Sequence, residues 1–168
     1  MNFRFILNRG QGPANNVISS IQSSVYTGGY TNIEAALNTC KEQLQGASQP
    51  VIVLITDGTP TACSRADGTI RTIYEGSCSN SSCSGCTNGP PLVAAETLAD
   101  QAAADGISVV PVIVSSVSRD IAQLESLARC PSNSNSNCNV DDYKNLNVSD
   151  IDEIGELLAS LVKVTGCE

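Results

Sequence analysis

The feature that most constrains the fold of this chain is a short apolar run, Val51–Ile55, which is followed by Thr56, Asp57 and Gly58. A run of aliphatic residues without alternation is typical of a strand buried on both faces, as in a parallel sheet covered by helices. Ligands bind to such sheets at the carboxyl ends of the strands. The run therefore predicts a buried parallel strand that places the Asp57 carboxylate at the edge of the sheet where sites form.

Helical and strand-like patterns alternate along the chain and predict a single α/β domain over residues 1–168, with an open, mostly parallel sheet flanked by helices. The predicted helices cover 17–24, 31–44, 92–104, 120–127 and 149–162, and the predicted strands cover 3–7, 51–55, 107–114 and 143–148. Gly106 is expected to end the third helix. Pro111 lacks an amide donor, so we expect it to weaken one half of its strand or to mark a bulge.

The composition favours a binding protein over an enzyme. The net charge of −8 and the pI near 4.4 disfavour nucleic acid and anionic membrane surfaces as partners. Histidine is absent, which removes the commonest general base, and the sequence contains neither Gly-x-Ser-x-Gly nor a glycine-rich phosphate-binding motif. We therefore predict no enzymatic activity. No stretch has the length and apolarity of a membrane span, so any contact with a membrane is expected to depend on other parts of a longer protein.

Eight cysteines are many for a chain of this size, and four of them lie in residues 59–91. This polar segment has no predicted helix or strand, and we interpret it as a Cys-rich loop insertion that contains Cys63, Cys78, Cys83 and Cys86. Two disulfides that close the loop are favoured, because an even number of cysteines in polar loops is typical of oxidising compartments. A zinc site built from these thiols and a redox role for Cys83-Ser-Gly-Cys86 are the alternatives.

Further features agree with export from the cell. Cys130 and Cys138 flank a Ser/Asn-rich stretch and are candidates for a local disulfide. Asn80 and Asn147 each begin an Asn-x-Ser sequon, the acceptor for N-linked glycans. We therefore expect a glycoprotein that is secreted or lies on the cell surface.

A glycine-rich loop, Gly28-Gly-Tyr-Thr31, opens onto the predicted helix 31–44. The hydroxyl of Thr31 and the carboxylate of Asp57 are oxygen donors of the kind that Mg²⁺ and Mn²⁺ prefer, and both are predicted at the same edge of the sheet. An alternative role for Thr31 is to cap the helix. A second group of acids is interpreted as helix-start and surface residues rather than a calcium site: Asp141, Asp142, Asp150, Asp152 and Glu153.

Three segments closely resemble the von Willebrand factor A domain, also called the integrin I domain: Gly28–Leu37, Val51–Gly58 and Ala104–Ile113. The first resembles the family's Gly-Gly-x-Thr segment and the helix after it, and the second its apolar strand that ends in Thr-Asp-Gly. The resemblance implies a Rossmann-like fold and a metal-ion-dependent adhesion site for magnesium or manganese. Matched residue by residue, Thr31 and Asp57 would be ligands of that cation.

The same resemblance implies an incomplete site. The family's first ligands belong to an Asp-x-Ser-x-Ser motif, which this sequence lacks, and the chain resembles the family only from its third strand onward. We therefore expect an N-terminally incomplete domain that lacks a strand, a helix and a strand, and we expect weak metal binding. Cys167 is placed where related domains tie their two ends together, so it would pair with a cysteine upstream and leave Cys40 as a buried thiol.

The function that the resemblance implies is an extracellular adhesion module that binds a protein or matrix ligand through the divalent cation. The insertion borders the same edge of the sheet and is expected to select the partner. The alternative is a structural subunit of an extracellular matrix or surface filament, completed by a partner strand or by disulfides and therefore a homo-oligomer.

Overall fold

A computed structural model of the chain describes residues 30–47, 50–74, 79, 83–114, 117–132 and 138–143. The helices and strands of these residues come in the order α1 (Ile33–Gln43), β1 (Val51–Thr56), β2 (Ala62–Ser64), β3 (Ile70–Thr72), α2 (Pro91–Ala104), β4 (Ser108–Ile113) and α3 (Ser118–Glu125), followed by a 3₁₀ helix (Val140–Tyr143). The predictions for 3–7, 17–24, 144–148 and 149–162 lie outside the described residues. Tyr143, the first residue of the last predicted strand, ends the 3₁₀ helix instead.

The centre of the described fold is a parallel pair of strands, β1 and β4, in which Val51 lies opposite Ser108 and Thr56 opposite Ile113. This pairing confirms the buried parallel strand that the apolar run predicts. The two strands are neighbours in space although β2, β3 and α2 lie between them in sequence, as the crossover of an α/β unit requires.

Helices α1, α2 and α3 cover one face of this pair. Residues of α1 at a spacing of three to four, such as Ile33, Leu37 and Cys40, are buried against Ile52 and Leu54 of β1. Alanines of α2 allow that helix to approach closely and are buried with them: Ala95, Ala99 and Ala102. The opposite face of the pair is smaller in the described part of the chain and consists of valines and Ile55, most of them half-buried.

The helix bounds agree with the sequence patterns within two residues. Helix α1 begins at Ile33, and its N-cap is Asn32, whose Oδ1 accepts a hydrogen bond from Ala35 N at 3.0 Å. The alternative role for Thr31 as the cap of this helix is therefore wrong. Helix α2 ends at Ala104, and the next-but-one residue, Gly106, has φ of +84°, the left-handed conformation that glycine adopts easily after a helix.

The predicted weakening of the strand at Pro111 is wrong, because β4 runs without a bulge through this residue, which lies opposite Leu54. The amides of Ser108 and Val114 donate to carbonyls on the β1 side, whereas the amide of Val109 donates to Arg129 O on the other side. Since the direction alternates along a strand, the missing N–H of Pro111 belongs to the side that faces away from β1. The proline therefore removes no hydrogen bond from the central pair.

The insertion 59–91 is not without secondary structure, which corrects the sequence-based interpretation. Its strands β2 and β3 form an antiparallel hairpin with Ala62 opposite Thr72. A buried carboxylate attaches the hairpin to α1, since Glu34 Oε2 accepts from Ser64 N at 2.7 Å and Glu34 Oε1 from Asn88 Nδ2 at 2.6 Å. The pattern gave no sign of these strands because each has only three residues.

Candidate functional site

The first half of the candidate site is the turn directly after β1. Thr56, the last residue of the strand, is buried, and its hydroxyl donates to Gly58 O at 2.8 Å and accepts from Gly58 N at 3.3 Å. These two contacts close a tight turn at the carboxyl end of the strand. Asp57 lies at the tip of this turn and is exposed. The prediction that β1 delivers a carboxylate to the edge of the sheet is thus consistent with the structure.

The second half is Thr31, two residues before the start of α1, with a residual exposure of 8%. Its backbone is held on both sides by the start of the insertion: Thr31 N donates to Thr61 Oγ1 at 2.8 Å, and Thr31 O accepts from Thr61 N at 2.8 Å and from Ala62 N at 3.0 Å. Because both backbone groups are satisfied in this way, the position of Thr31 is fixed by the segment that continues directly from the Asp57 turn.

The structure therefore connects the two predicted ligands through Thr61, four residues after Asp57. Within the described part of the chain, neither the Thr31 hydroxyl nor the Asp57 carboxylate takes part in a hydrogen bond or an ion pair. Glu34 is the contrast, because it is buried in the first turn of α1 and both its oxygens are engaged. Among the described residues, the two predicted ligands are free to bind, whereas the neighbouring acid is structural.

These two residues are suitable ligands for a hard divalent cation, but they do not complete its coordination. A hydroxyl and a carboxylate are oxygen donors, which suits Mg²⁺ or Mn²⁺, but they supply two of about six ligand positions. The described residues contain no group of three or more His, Cys, Asp or Glu side chains that could bind a metal on their own. Asp141 and Asp142 are exposed in the 3₁₀ helix, and the other acids of that group lie outside the described residues.

The cysteines form disulfides as the sequence predicts. Cys63 pairs with Cys86 across the insertion and Cys130 with Cys138, while Cys83 is also disulfide-bonded. Since Cys83 and Cys86 do not pair with each other, the redox interpretation of Cys83-Ser-Gly-Cys86 is wrong, and the zinc alternative loses at least three of its four thiols. Cys78, Cys167 and both sequons, at Asn80 and Asn147, lie outside the described residues.

Cys40 is a free thiol on the buried face of α1, as the resemblance implies. Burial among apolar side chains disfavours the thiolate and raises the pKa of Cys40 to about 12. The thiol is therefore a core residue, unreactive at neutral pH.

Two residues that support the site give no signal in the sequence. Thr61 acts through a side-chain hydrogen bond to a residue 30 positions away, and Glu34 through a bond to a backbone amide at the same separation. Neither spacing belongs to a local motif. Only the position of Glu34 in the first turn of an amphipathic helix, next to a buried isoleucine, hints that it is not a solvated surface acid.

This architecture is similar to that of known proteins. The family model of the von Willebrand factor type A domain matches residues 3–153. Among solved structures, the chain is similar to the pilus adhesin SpaC from Lactobacillus rhamnosus GG in two crystal structures. One superposes with a TM-score of 0.56 over 89% of this chain, and the other, described as an open conformation, with a TM-score of 0.53 over 84%. Sequence identity is 17% in both, and the match spans 20% of the adhesin. No curated protein is significantly similar in sequence.

A search of the described helices for a membrane span finds none with the necessary length and apolarity.

Proposed function

The chain belongs to the von Willebrand factor type A family, and we propose that it is an extracellular adhesion module that binds a protein or matrix partner through a divalent cation. The observation that carries the proposal is that Asp57, directly after β1, and Thr31, whose backbone bonds to Thr61, each have an oxygen donor without a hydrogen bond or ion pair in the described part of the chain. A bound Mg²⁺ or Mn²⁺ would supply an open coordination position for a carboxylate of the partner. The similarity to a pilus adhesin and the internal disulfides support the extracellular setting.

The residues of this chain would contribute in different ways. Asp57 would supply charge from an exposed turn, and Thr31 would supply a neutral hydroxyl from a rigidly held backbone. A site in which neutral ligands accompany few carboxylates leaves the cation with residual positive charge, which favours an anionic partner group. The ordered backbone around Thr31 means that little conformational entropy has to be lost when the cation binds.

The cation site is tested by titrating the chain with Mn²⁺ and following the relaxation of water protons. Asp57→Ala is expected to weaken binding by at least about tenfold and Thr31→Val to weaken it less, because a carboxylate contributes more than a hydroxyl. Asp142→Ala, which removes an exposed carboxylate from the 3₁₀ helix, is the matched control and should bind as the wild type does. Equal binding by Asp57→Ala and the wild type would contradict the proposed site.

Adhesion itself is tested with beads that carry the chain, on surfaces coated with collagen, fibrinogen or fibronectin. We expect retention in Mg²⁺ on at least one surface and loss of retention in EDTA or with Asp57→Ala. Retention that is unaffected by EDTA would show an adhesion that does not use the cation.

A further inference from the structure

Two exposed tyrosine rings lie in contact beside the candidate cation site. Tyr30 is 54% exposed and Tyr74 is 73% exposed, yet their ring centroids are only 5.8 Å apart, with the planes tilted by 45°. The chain has only four tyrosines, two phenylalanines and no tryptophan. Aromatic side chains that are placed together in solvent, in a chain so poor in them, are typical of an interaction site rather than of an incidental surface.

The positions of the rings follow from the backbone that holds Thr31. Tyr30 directly precedes Thr31, and Tyr74 follows Ile73, whose amide donates to Thr61 O at 2.9 Å. Thr61 in turn donates to Thr31 O and accepts from Thr31 N. The aromatic pair and the candidate ligand are thus fixed by one hydrogen-bonded junction between the start of α1 and the hairpin, so a partner that reaches one reaches the other.

From this geometry we propose that Tyr30 and Tyr74 form a second subsite that receives an apolar or aromatic side chain of an acidic peptide segment, next to the carboxylate that the cation takes. This proposal rests on the proposed function only in one part, the binding of the partner's carboxylate by the cation. The tyrosine pair determines which residue must stand beside that carboxylate in the partner, and it is therefore the specificity element of this edge.

Charge and ring geometry favour this occupant. Residues 57–75, from the Asp57 turn to the residue after Tyr74, carry Arg65 and Arg71 against three acids, Asp57, Asp67 and Glu75. These residues have a net charge of −1 by themselves, and a bound divalent cation would change it to +1, so an anionic segment is favoured at this edge when the cation is bound. Because their planes are tilted by 45°, the two rings present an angled apolar surface against which a side chain can pack, rather than a single flat platform for a sugar ring.

The test is selection of peptides from a phage-displayed library of random dodecapeptides on the immobilised chain, with Mn²⁺ and with EDTA. The wild type in Mn²⁺ should enrich sequences with Asp or Glu within three positions of Phe, Tyr, Leu or Pro. Tyr30→Ser/Tyr74→Ser should lose the apolar preference and bind the enriched peptide about tenfold more weakly. Val93→Ser, which removes an apolar side chain of 40% exposure from α2, is the matched control. It should leave the apolar preference and the affinity for the enriched peptide unchanged.

The two proposals fail in different ways. An acidic preference that disappears in EDTA but is identical in the wild type and the double tyrosine variant would overturn the tyrosine subsite and leave the cation site standing. An apolar preference that depends on the tyrosines and persists in EDTA would support the subsite and count against the cation. Failure to enrich any peptide, or binding of a glycan array through the tyrosines in place of peptides, would overturn the subsite as stated.

Discussion

The two regions that meet at the candidate site are stabilised by different interactions. The unit made of α1, β1, α2 and β4 is held by a parallel strand pair and by aliphatic side chains such as Leu37 and Leu54, which are fully buried. The insertion 59–91 has two three-residue strands and is held instead by the Cys63–Cys86 disulfide and by hydrogen bonds to Glu34. The first region is a hydrophobic core, and the second is a cross-linked attachment to it.

This difference bears directly on the site, because each region positions one of the two predicted ligands. Asp57 is the first residue after β1, so the core determines where it lies. Thr31 is held through its backbone by Thr61 and Ala62, so the insertion determines where it lies. A change in either region should therefore disturb the site, but through a different ligand and with a different effect on the stability of the whole chain.

The largest effect is expected from a cavity in the core. Leu54→Ala removes a fully buried side chain between the β1–β4 pair and the helices, and it should lower the free energy of unfolding by about 4 kcal/mol. Urea denaturation followed by circular dichroism measures the loss. Protection of backbone amides against hydrogen exchange should fall in both regions, since the insertion has no stability without the core. Val93→Ala, at a half-exposed position of α2, should change stability by less than about 0.5 kcal/mol.

Removal of the cross-link should have a smaller and more local effect. Cys63→Ala/Cys86→Ala opens a loop with a sequence separation of 23 residues, for which loop-closure entropy gives about 3 kcal/mol. Hydrogen exchange should show lost protection at Ser64 N and Thr87 N, which lie in the insertion, and retained protection at Val114 N, which bonds to β1. Cys130→Ala/Cys138→Ala, with a separation of 8, should leave the amides of the insertion protected. Equal loss of protection in β1 and the insertion would show that the two regions unfold as one.

The same contrast explains how far the sequence alone could be interpreted. The apolar run Val51–Ile55 and the spacing of Ile33, Leu37 and Cys40 are local patterns with one dominant physical cause, burial, and they predict β1 and α1 within two residues. Thr31 and Asp57 are predicted as ligands because they stand next to the ends of those elements and resemble a family motif.

The insertion could not be interpreted in the same way, because its contacts are long-range. No local pattern relates Glu34 to Ser64 or Thr61 to Thr31, and cysteine spacing leaves several pairings open. The error at Pro111 has a related origin, since the cost of a missing N–H depends on which side of the strand it faces. That side is determined by the register with β1, and the sequence of the strand alone does not determine this register.

The smallest change, and the most specific one, is Thr61→Val. Valine has nearly the shape of threonine but cannot accept the hydrogen bond from Thr31 N, so a single contact between the two regions is removed. We expect a loss of about 1 kcal/mol in stability. Affinity for Mn²⁺ should fall by a few-fold only, because Thr61 N and Ala62 N still donate to Thr31 O and keep the backbone near its place.

Thr61→Ser provides the discriminating partner variant, since it keeps the hydroxyl that accepts from Thr31 N and removes only a methyl group. If Thr61 positions the ligand, Mn²⁺ affinity should be that of the wild type in Thr61→Ser and reduced in Thr61→Val, although both variants lose some packing. If both variants lose affinity in proportion to their loss of stability, Thr61 contributes only to the attachment of the insertion. The position of Thr31 would then be set by the two backbone bonds alone, and the core and the cross-linked insertion would be coupled at the site through the main chain rather than through this side chain.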